Sequence, residues 1–351
     1  MNVALDLGVY EFRTLRREHK RLTAHRFRPV YIVIADNSHN QQTLDQLHIP
    51  CARCDNGLVV LGEPAVRVSR LLRQPYHEML PAGRIDRNDP LTRQLLSTLI
   101  DNMLPLPESE QDICCVRLPQ PGGQLRQIAN PREVDAADNK LLTHLVSLRG
   151  YTPRTLSSGM AVVLAEMVST SFTGLGLDIG ATSTHAVLSF QGRELAASTT
   201  ALGGEWIDER LARACQEFTW APSGQQCLNV PAITNWKQEF SGDLTNPHST
   251  REHVLAELYR DLMDSVLRCL ARDLVINTSR EQFSTPVDLV YAGGPTRMNG
   301  FDDILREQLQ RTPFPLEIQS IRSANSPYTV SRGCLIHAEL ETGQRTRREV
   351  A

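Results

Sequence analysis

The sequence predicts an α/β fold of two similar lobes, each with a mixed sheet flanked by helices. Three observations predict it. Strand-like and helix-like segments alternate through both halves, as layered α/β architectures require. A strand that runs into Asp-x-Gly and then a returning strand occurs twice, at Asp6 and at Asp178, positions 172 apart in 351 residues. A spacing near half the chain points to internal duplication. Finally, 41% hydrophobic and 22% charged residues suit a globular chain with its own core, and eight cysteines are too sparse for a disulfide scaffold.

The elements follow in order. Val3–Leu7 is an apolar strand closed by Gly8, and Phe12–Arg17 is its hairpin partner. Pro29–Ala35 and Leu58–Leu61 read as strands from their Val, Ile and Leu content. From Pro90, the spacing of Leu91, Leu95, Leu96, Leu99, Ile100 and Met103 predicts a helix that Pro105 and Pro107 stop. Ile113–Leu118 is a strand, Gln120–Asp138 a polar loop, and Leu141–Leu148 a helix ended by Gly150. Met160–Val168 is a buried small-residue helix.

The second half repeats the plan. Gly174–Gly180 and Ala186–Phe190 form the second hairpin, and Ile207–Cys215 a helix. Residues 219–231 read as a loop. Val254, Leu258, Leu262, Val266 and Leu270 mark an amphipathic helix. Val287–Tyr291 is a strand leading into Gly293-Gly294, and Asp302–Leu309 is a helix with acids in its first turn. The last 12 residues read as a polar tail.

Charge and patterning exclude several functions. A net charge of −3 argues against a nucleic-acid coat, so no nucleic-acid partner is expected. No apolar run approaches the roughly 18 residues of a membrane-spanning helix, and no basic segment precedes an apolar one at the N-terminus. A cytoplasmic setting is the expectation. Arg13–Arg28 is basic but lacks the apolar face of a membrane anchor, and reads as a solvated hairpin. Cys51-x-x-Cys54 has zinc-knuckle spacing without a second ligand pair, and reads as incidental. No Walker or dinucleotide-binding glycine pattern occurs.

The repeated unit carries the chemistry. In Asp178-Ile-Gly180-Ala-Thr182-Ser183-Thr184 a carboxylate ends a strand, a glycine turns the backbone, and three hydroxyl residues follow. Backbone N–H groups in such a turn can cradle a phosphate, and the carboxylate can hold Mg²⁺ through water. Asp6-Leu-Gly8 offers the same carboxylate from the other half. A single Asp-x-Gly is more simply a hairpin turn; two facing each other would clamp a polyphosphate.

With Gly203-Gly204-x-x-x-Asp208 and Ala292-Gly293-Gly294-Pro-Thr-Arg297 in the expected order, the chain resembles the actin-like ATPase superfamily, in the branch of MreB and DnaK. Leu80–Asp86 is similar to an MreB segment, and Asn325–Ala338 resembles the C-terminal helix that returns to the first domain. The resemblance implies a duplicated actin-like (ribonuclease H-like) fold: a first lobe over 1–155 with an inserted subdomain at about 35–85, a second over 156–324 with a helical insertion at about 205–285, the returning helix at 325–343, and a tail at 344–351.

It further implies ATP or ADP with Mg²⁺ in the cleft. Gly8, Gly180, Thr182, Ser183 and Thr184 would line the phosphates. Gly203, Gly204 and Asp208, in an element that opens a helix, would also bind the nucleotide, and Gly293, Gly294 and Arg297 would form the adenosine motif. Lys237 and Ser241 resemble the K-x-x-x-S element of DnaK-type adenosine pockets, and Lys237 is one of only three lysines. Asp6 and Asp178 would hold the metal through water. Asp138, a residue shorter by one methylene than the family's glutamate, would position the attacking water.

Departures from the family pattern accompany these matches. Val9-Tyr10-Glu11-Phe12 replaces small polar residues in the first loop. Ser158-Gly159 stands where the family has Glu-Pro, and Thr234 where the adenosine pocket has an acid. Nucleotide binding is therefore expected to outlast fast hydrolysis. The resemblance implies an MreB-like, slowly hydrolysing protein that self-associates into filaments in a cell-shape role, with membrane-associated or cell-wall synthesis partners. The alternatives are a DnaK-like ATPase domain without a peptide-binding domain, and a non-polymerising scaffold of FtsA or PilM type.

Overall fold

The computed structural model describes residues 1–86, 88–120, 131–220, 224–277 and 286–350, with backbone alone at 131–135, 276–277 and 344–350. The first lobe begins with β1 (Val3–Leu7), β2 (Phe12–Glu18) and β3 (Arg21–Phe27). An inserted unit follows: β4 (Val30–Ile34), α1 (Ser38–Gln46), β5 (Ala52–Cys54), β6 (Gly57–Leu61), α2 (Glu63–Leu72) and β7 (His77–Glu78). The chain then returns through α3 (Pro90–Met103), β8 (Ile113–Arg117), α4 (Pro131–Leu148), β9 (Thr152–Thr155) and α5 (Ser158–Glu166).

The second lobe runs β10 (Gly174–Ile179), β11 (Thr184–Phe190), β12 (Arg193–Thr200), α6 (Gly204–Ala214), β13 (Phe218–Trp220), β14 (Gln226–Leu228) and α7 (Val230–Glu239). It closes with α8 (Thr250–Asn277), β15 (Val287–Ala292), α9 (Phe301–Arg311), β16 (Ile318–Ser323) and α10 (Thr329–Val350).

The duplication is explicit in the sheets. The first lobe orders its strands β3-β2-β1-β8-β9, and the second β12-β11-β10-β15-β16. In each, three antiparallel strands are followed by two parallel ones joined through helices. The central strands β1, β8 and β10 are wholly buried, which is why they read as continuous apolar runs. The edge strand β3 is mostly exposed and carries Arg21 and Arg26, charges that discourage edge-to-edge pairing. The Arg13–Arg28 stretch is thus the β2–β3 hairpin.

Between the two sheets lie α5 and α10. Met160, Val163, Leu335 and Ala338 pack with Ala4 and Cys115 from one sheet and Val187 and Val290 from the other. Glycine makes this closeness possible: a Cβ on Gly333 would overlap the Ala161 carbonyl. The last helix therefore returns to the first lobe, and runs on to Val350 where the sequence suggests a polar tail.

Other boundaries also shift. The first inserted unit has its own sheet, β5-β6-β4-β7, and its own core, and begins at Val30. The second is narrower than 205–285, because Tyr259, Leu262, Val266 and Leu270 of α8 pack into the core of the lobe's main sheet. Within the expected loop at 120–138, residues 121–130 lie outside the described ones, and α4 starts at Pro131. Within the loop at 219–231, the described part holds a short β13–β14 hairpin and the start of α7.

Candidate functional site

The two Asp-x-Gly turns meet at the bottom of the cleft between the lobes. Asp6 is the fourth residue of β1 and Asp178 the fifth of β10. They are 4% and 5% exposed, so both carboxylates are withdrawn from water and need a cation. Arg117, the last residue of β8, supplies it. Its Nε lies 3.9 Å from an Asp6 oxygen and its Nη2 4.0 Å from an Asp178 oxygen. Its Nη1 donates to the Leu7 carbonyl at 3.2 Å. Arg13 adds a second cation 3.7 Å from Asp6, and itself pairs with Glu11 at 2.7 Å. At such separations each pair attracts by about 4 kcal/mol at an effective dielectric of 20, before desolvation is charged against it.

Burial pushes the Asp178 carboxyl up, and the Arg117 charge opposes this. The buried Ser158 hydroxyl stands beside Asp178 without a regular hydrogen bond among the described residues.

The hydroxyls of the second loop are all committed to protein. Thr182 donates to the Gln120 carbonyl at 2.8 Å, and Thr184 to the Leu202 carbonyl at 2.8 Å. Ser183 pairs with His185 Nε2 at 3.3 Å, while His185 Nδ1 meets Thr199 at 3.2 Å. Burial, with the Arg117 charge, pushes His185 down to about 3, so the ring is neutral. What this loop can offer a phosphate is backbone, whose shape these side-chain bonds hold.

The glycine pairs explain themselves sterically. A Cβ on Gly203 would lie 2.5 Å from the carbonyls of both Gly180 and Ala181. The Gly204 and Glu205 N–H groups donate to those same carbonyls at 3.0 and 2.8 Å, tying α6 to the second loop. Gly293, at φ +117°, passes against the Ile179 carbonyl where any side chain would overlap it. Gly294 faces open space. Arg297 is exposed in the turn after it.

Asp208 is buried and pairs with Lys237, and it accepts a 2.8 Å hydrogen bond from Thr234. Lys237 also donates to the Gly204 carbonyl at 3.3 Å. Ser241 does not share that cluster. Helix α7 ends at Glu239, so the K-x-x-x-S spacing is not on one helical face, and the exposed Ser241 gives its carbonyl to Asn299 at 3.4 Å. Asp138 is buried and accepts from the Ile85 N–H at 3.3 Å.

The structure adds residues that the motifs did not point to. Arg117 is the foremost; the available signal was a charged residue closing the apolar run Ile-Cys-Cys-Val. Tyr10, in the first loop, accepts from Gln238 of α7 at 2.8 Å and lies under the Arg28 guanidinium. Arg70 of α2 donates to Asn235 of α7 at 2.9 Å. Both contacts join the lobes across the cleft. In the first turn of α6, Glu205 is pushed up to about 8, by burial first and then by Glu78, Asp208 and Glu209.

The cleft presents glycine backbone at Gly203, Gly204 and Gly294 and arginine at its floor. Mg²⁺ fits poorly in the role expected of Asp6 and Asp178. Both carboxylates already face guanidinium groups, and no cluster of three or more His, Cys, Asp or Glu suited to a metal occurs among the described residues. Cys51 and Cys54 belong to no such cluster among the described residues, and all eight cysteines are free thiols. No helix among the described residues is long and apolar enough to cross a membrane.

Solved structures similar to this chain share its architecture throughout. A MamK double-helical filament aligns with a TM-score of 0.66 at 17% identity, over 97% of this chain and 99% of that one. MreB5 of Spiroplasma citri bound to AMPPNP aligns at 0.59 and 12% identity, over 99% and 97%. A non-polymerising MamK mutant bound to AMPPNP aligns at 0.55 and 18%, over 96% and 98%. No curated protein matches the sequence significantly. These likenesses establish an actin-like ATPase fold of MreB-like layout, and the sequence matches the volactin family over residues 1–338. The chain belongs to the volactin family.

Proposed function

We propose that this protein binds ATP and ADP between its lobes and self-associates head-to-tail into filaments under control of the bound nucleotide. The observation that carries this reading is the meeting of Asp6, Asp178 and the glycine backbone of residues 203, 204 and 294 at one cleft. The AMPPNP in the MamK and MreB5 structures and the filament form of MamK support it. An open-ended filament follows from a heterologous contact that does not close on itself.

Hydrolysis, in this reading, is slow. Asp138 already serves the Ile85 N–H, and Ser158 cannot act as a base. Losing one positioning or stabilising group costs roughly 10²-fold in rate. A cytoskeletal role in the cytoplasm, acting on cell shape through membrane-associated or cell-wall synthesis partners, is the matching cellular reading. The DnaK-like alternative loses ground because Lys237 and Ser241 do not converge.

Sedimentation and light scattering test the proposal. Purified protein should pellet with ATP, and the pelleted fraction should fall with ADP. Protein that remains monomeric across ATP, ADP and salt would leave the non-polymerising scaffold as the surviving reading.

A further inference from the structure

Arg117 occupies the place where the two phosphate-loop carboxylates converge, and its surroundings differ from those of its counterpart. In the first sheet Asp6 sits beside Arg117 on β8 and Arg13 on β2. In the second sheet the equivalent neighbours of Asp178 are Ala292 and His185, neither of them charged here. The duplicated fold therefore carries its cations on one side only, and one of them reaches across to serve the other side's aspartate.

The geometry leaves the guanidinium with capacity to spare. Arg117 has five N–H donors. Among the described residues it makes one hydrogen bond, to the Leu7 carbonyl, and its carboxylate partners stand at 3.9 and 4.0 Å, beyond hydrogen-bond reach. It also lies directly against the second loop. The position of a Cβ on Gly180 would be 3.7 Å from Nη2. A planar fork of donors beside a phosphate loop is suited to bidentate contact with phosphate oxygens. A divalent cation at the same point would face a buried positive charge and two carboxylates already neutralised by it.

We propose that Arg117 takes the place of the divalent cation, so that this protein binds a nucleoside di- or triphosphate without Mg²⁺. The proposal rests on the nucleotide reading above and specifies how its charge is met. Asp6 and Asp178 hold the guanidinium in place, and the guanidinium faces the phosphates. No bond is made or broken in this step; it concerns binding alone.

Calorimetric titration of the full chain with ATP and with ADP, in excess Mg²⁺ or excess EDTA, tests it. Wild-type affinity should agree between the two conditions within about threefold. Arg117→Gln should weaken binding about tenfold or more in EDTA, the loss expected for a charge-assisted contact. Mg²⁺ should restore part of that loss, because the freed carboxylates can then hold a hydrated ion. Wild-type binding that requires Mg²⁺ overturns the proposal and leaves the nucleotide reading standing. Absence of binding in both conditions overturns both. An Arg117→Gln variant that binds like wild type in EDTA overturns the role of Arg117. If Arg117→Gln does not fold, Arg117→Lys serves: it keeps the charge but loses the fork, and should bind more weakly than wild type in EDTA; equal binding is the overturning result.

Discussion

The two Asp-x-Gly hairpins descend from one plan and have been put to different uses. The second, between β10 and β11, is built inward. Thr182, Ser183 and Thr184 are at most 5% exposed, and their hydroxyls fasten the loop to Gln120, His185 and Leu202. The first, between β1 and β2, is built outward. Tyr10 is 42% exposed and spans to Gln238 on the opposite lobe, while Glu11 is paired with Arg13. Bulk in the first loop thus makes a contact of its own and is more than a missing set of hydroxyls. The difference gives the second loop the task of shaping a backbone site and the first the task of bridging the lobes.

The largest effect that would break this assignment lies at the glycines supporting the two loops. Gly203→Ala puts a methyl 2.5 Å from two carbonyls of the second loop, where backbone must move. It should cost about 2–3 kcal/mol in chemical denaturation and abolish thermal protection by ATP and ADP. Gly8→Ala meets a single carbonyl, that of Glu11, at 2.7 Å in a turn less enclosed than the second loop. It should cost less and leave part of the protection. Equal losses at the two glycines would show that the loops share one role.

A smaller effect separates the loops by pH. His185, behind the second loop, is pushed down to about 3 from an ordinary 6.5, chiefly by burial. The unfolded chain then takes up a proton that the folded chain refuses. The stability from this neutral ring is fully present above pH 6.5 and is lost as pH falls toward 3. By pH 5 the loss is about 2 kcal/mol. His185→Gln should flatten the acid limb of a stability-versus-pH curve over that window. Arg13→Gln, at the matching place beside the first loop, should leave its slope unchanged there, because arginine does not titrate in that range.

Much of this was legible in the sequence where local signals and burial agree. The central strands β1, β8 and β10 showed as apolar runs because both faces of each sheet are covered, by helices on one side and by α5 and α10 on the other. The glycines at 203, 204, 293 and 294 were legible because close backbone approach leaves few alternatives to glycine. Three things were not. Helix α7 has a single buried residue, Ile233, so no apolar period announces it. The end of α10 is polar and carries no turn signal before Val350. Arg117 was hidden for a different reason: its partners Asp6 and Asp178 are 111 and 61 positions away, and only the duplicated topology brings them together.

The most delicate test of the contrast is at Tyr10 itself. Its hydroxyl accepts from Gln238, and its ring lies 4.8 Å from the Arg28 guanidinium. Tyr10→Phe deletes the hydrogen bond and keeps the ring contact. The residue is exposed and its bond forms across a solvent-lined mouth, so the loss should be about 1 kcal/mol or less. If the first loop is a latch, that energy resides in the closed form alone. Release of a fluorescent nucleotide in stopped flow should then speed up by at most about fivefold, and the denaturation midpoint should fall by no more than the same ~1 kcal/mol allows. Tyr10→Ala removes the cation–π contact as well and should speed release further. Unchanged release rates in both variants would mean that the cleft is held shut elsewhere, with the Arg70–Asn235 contact between α2 and α7 the next place to cut.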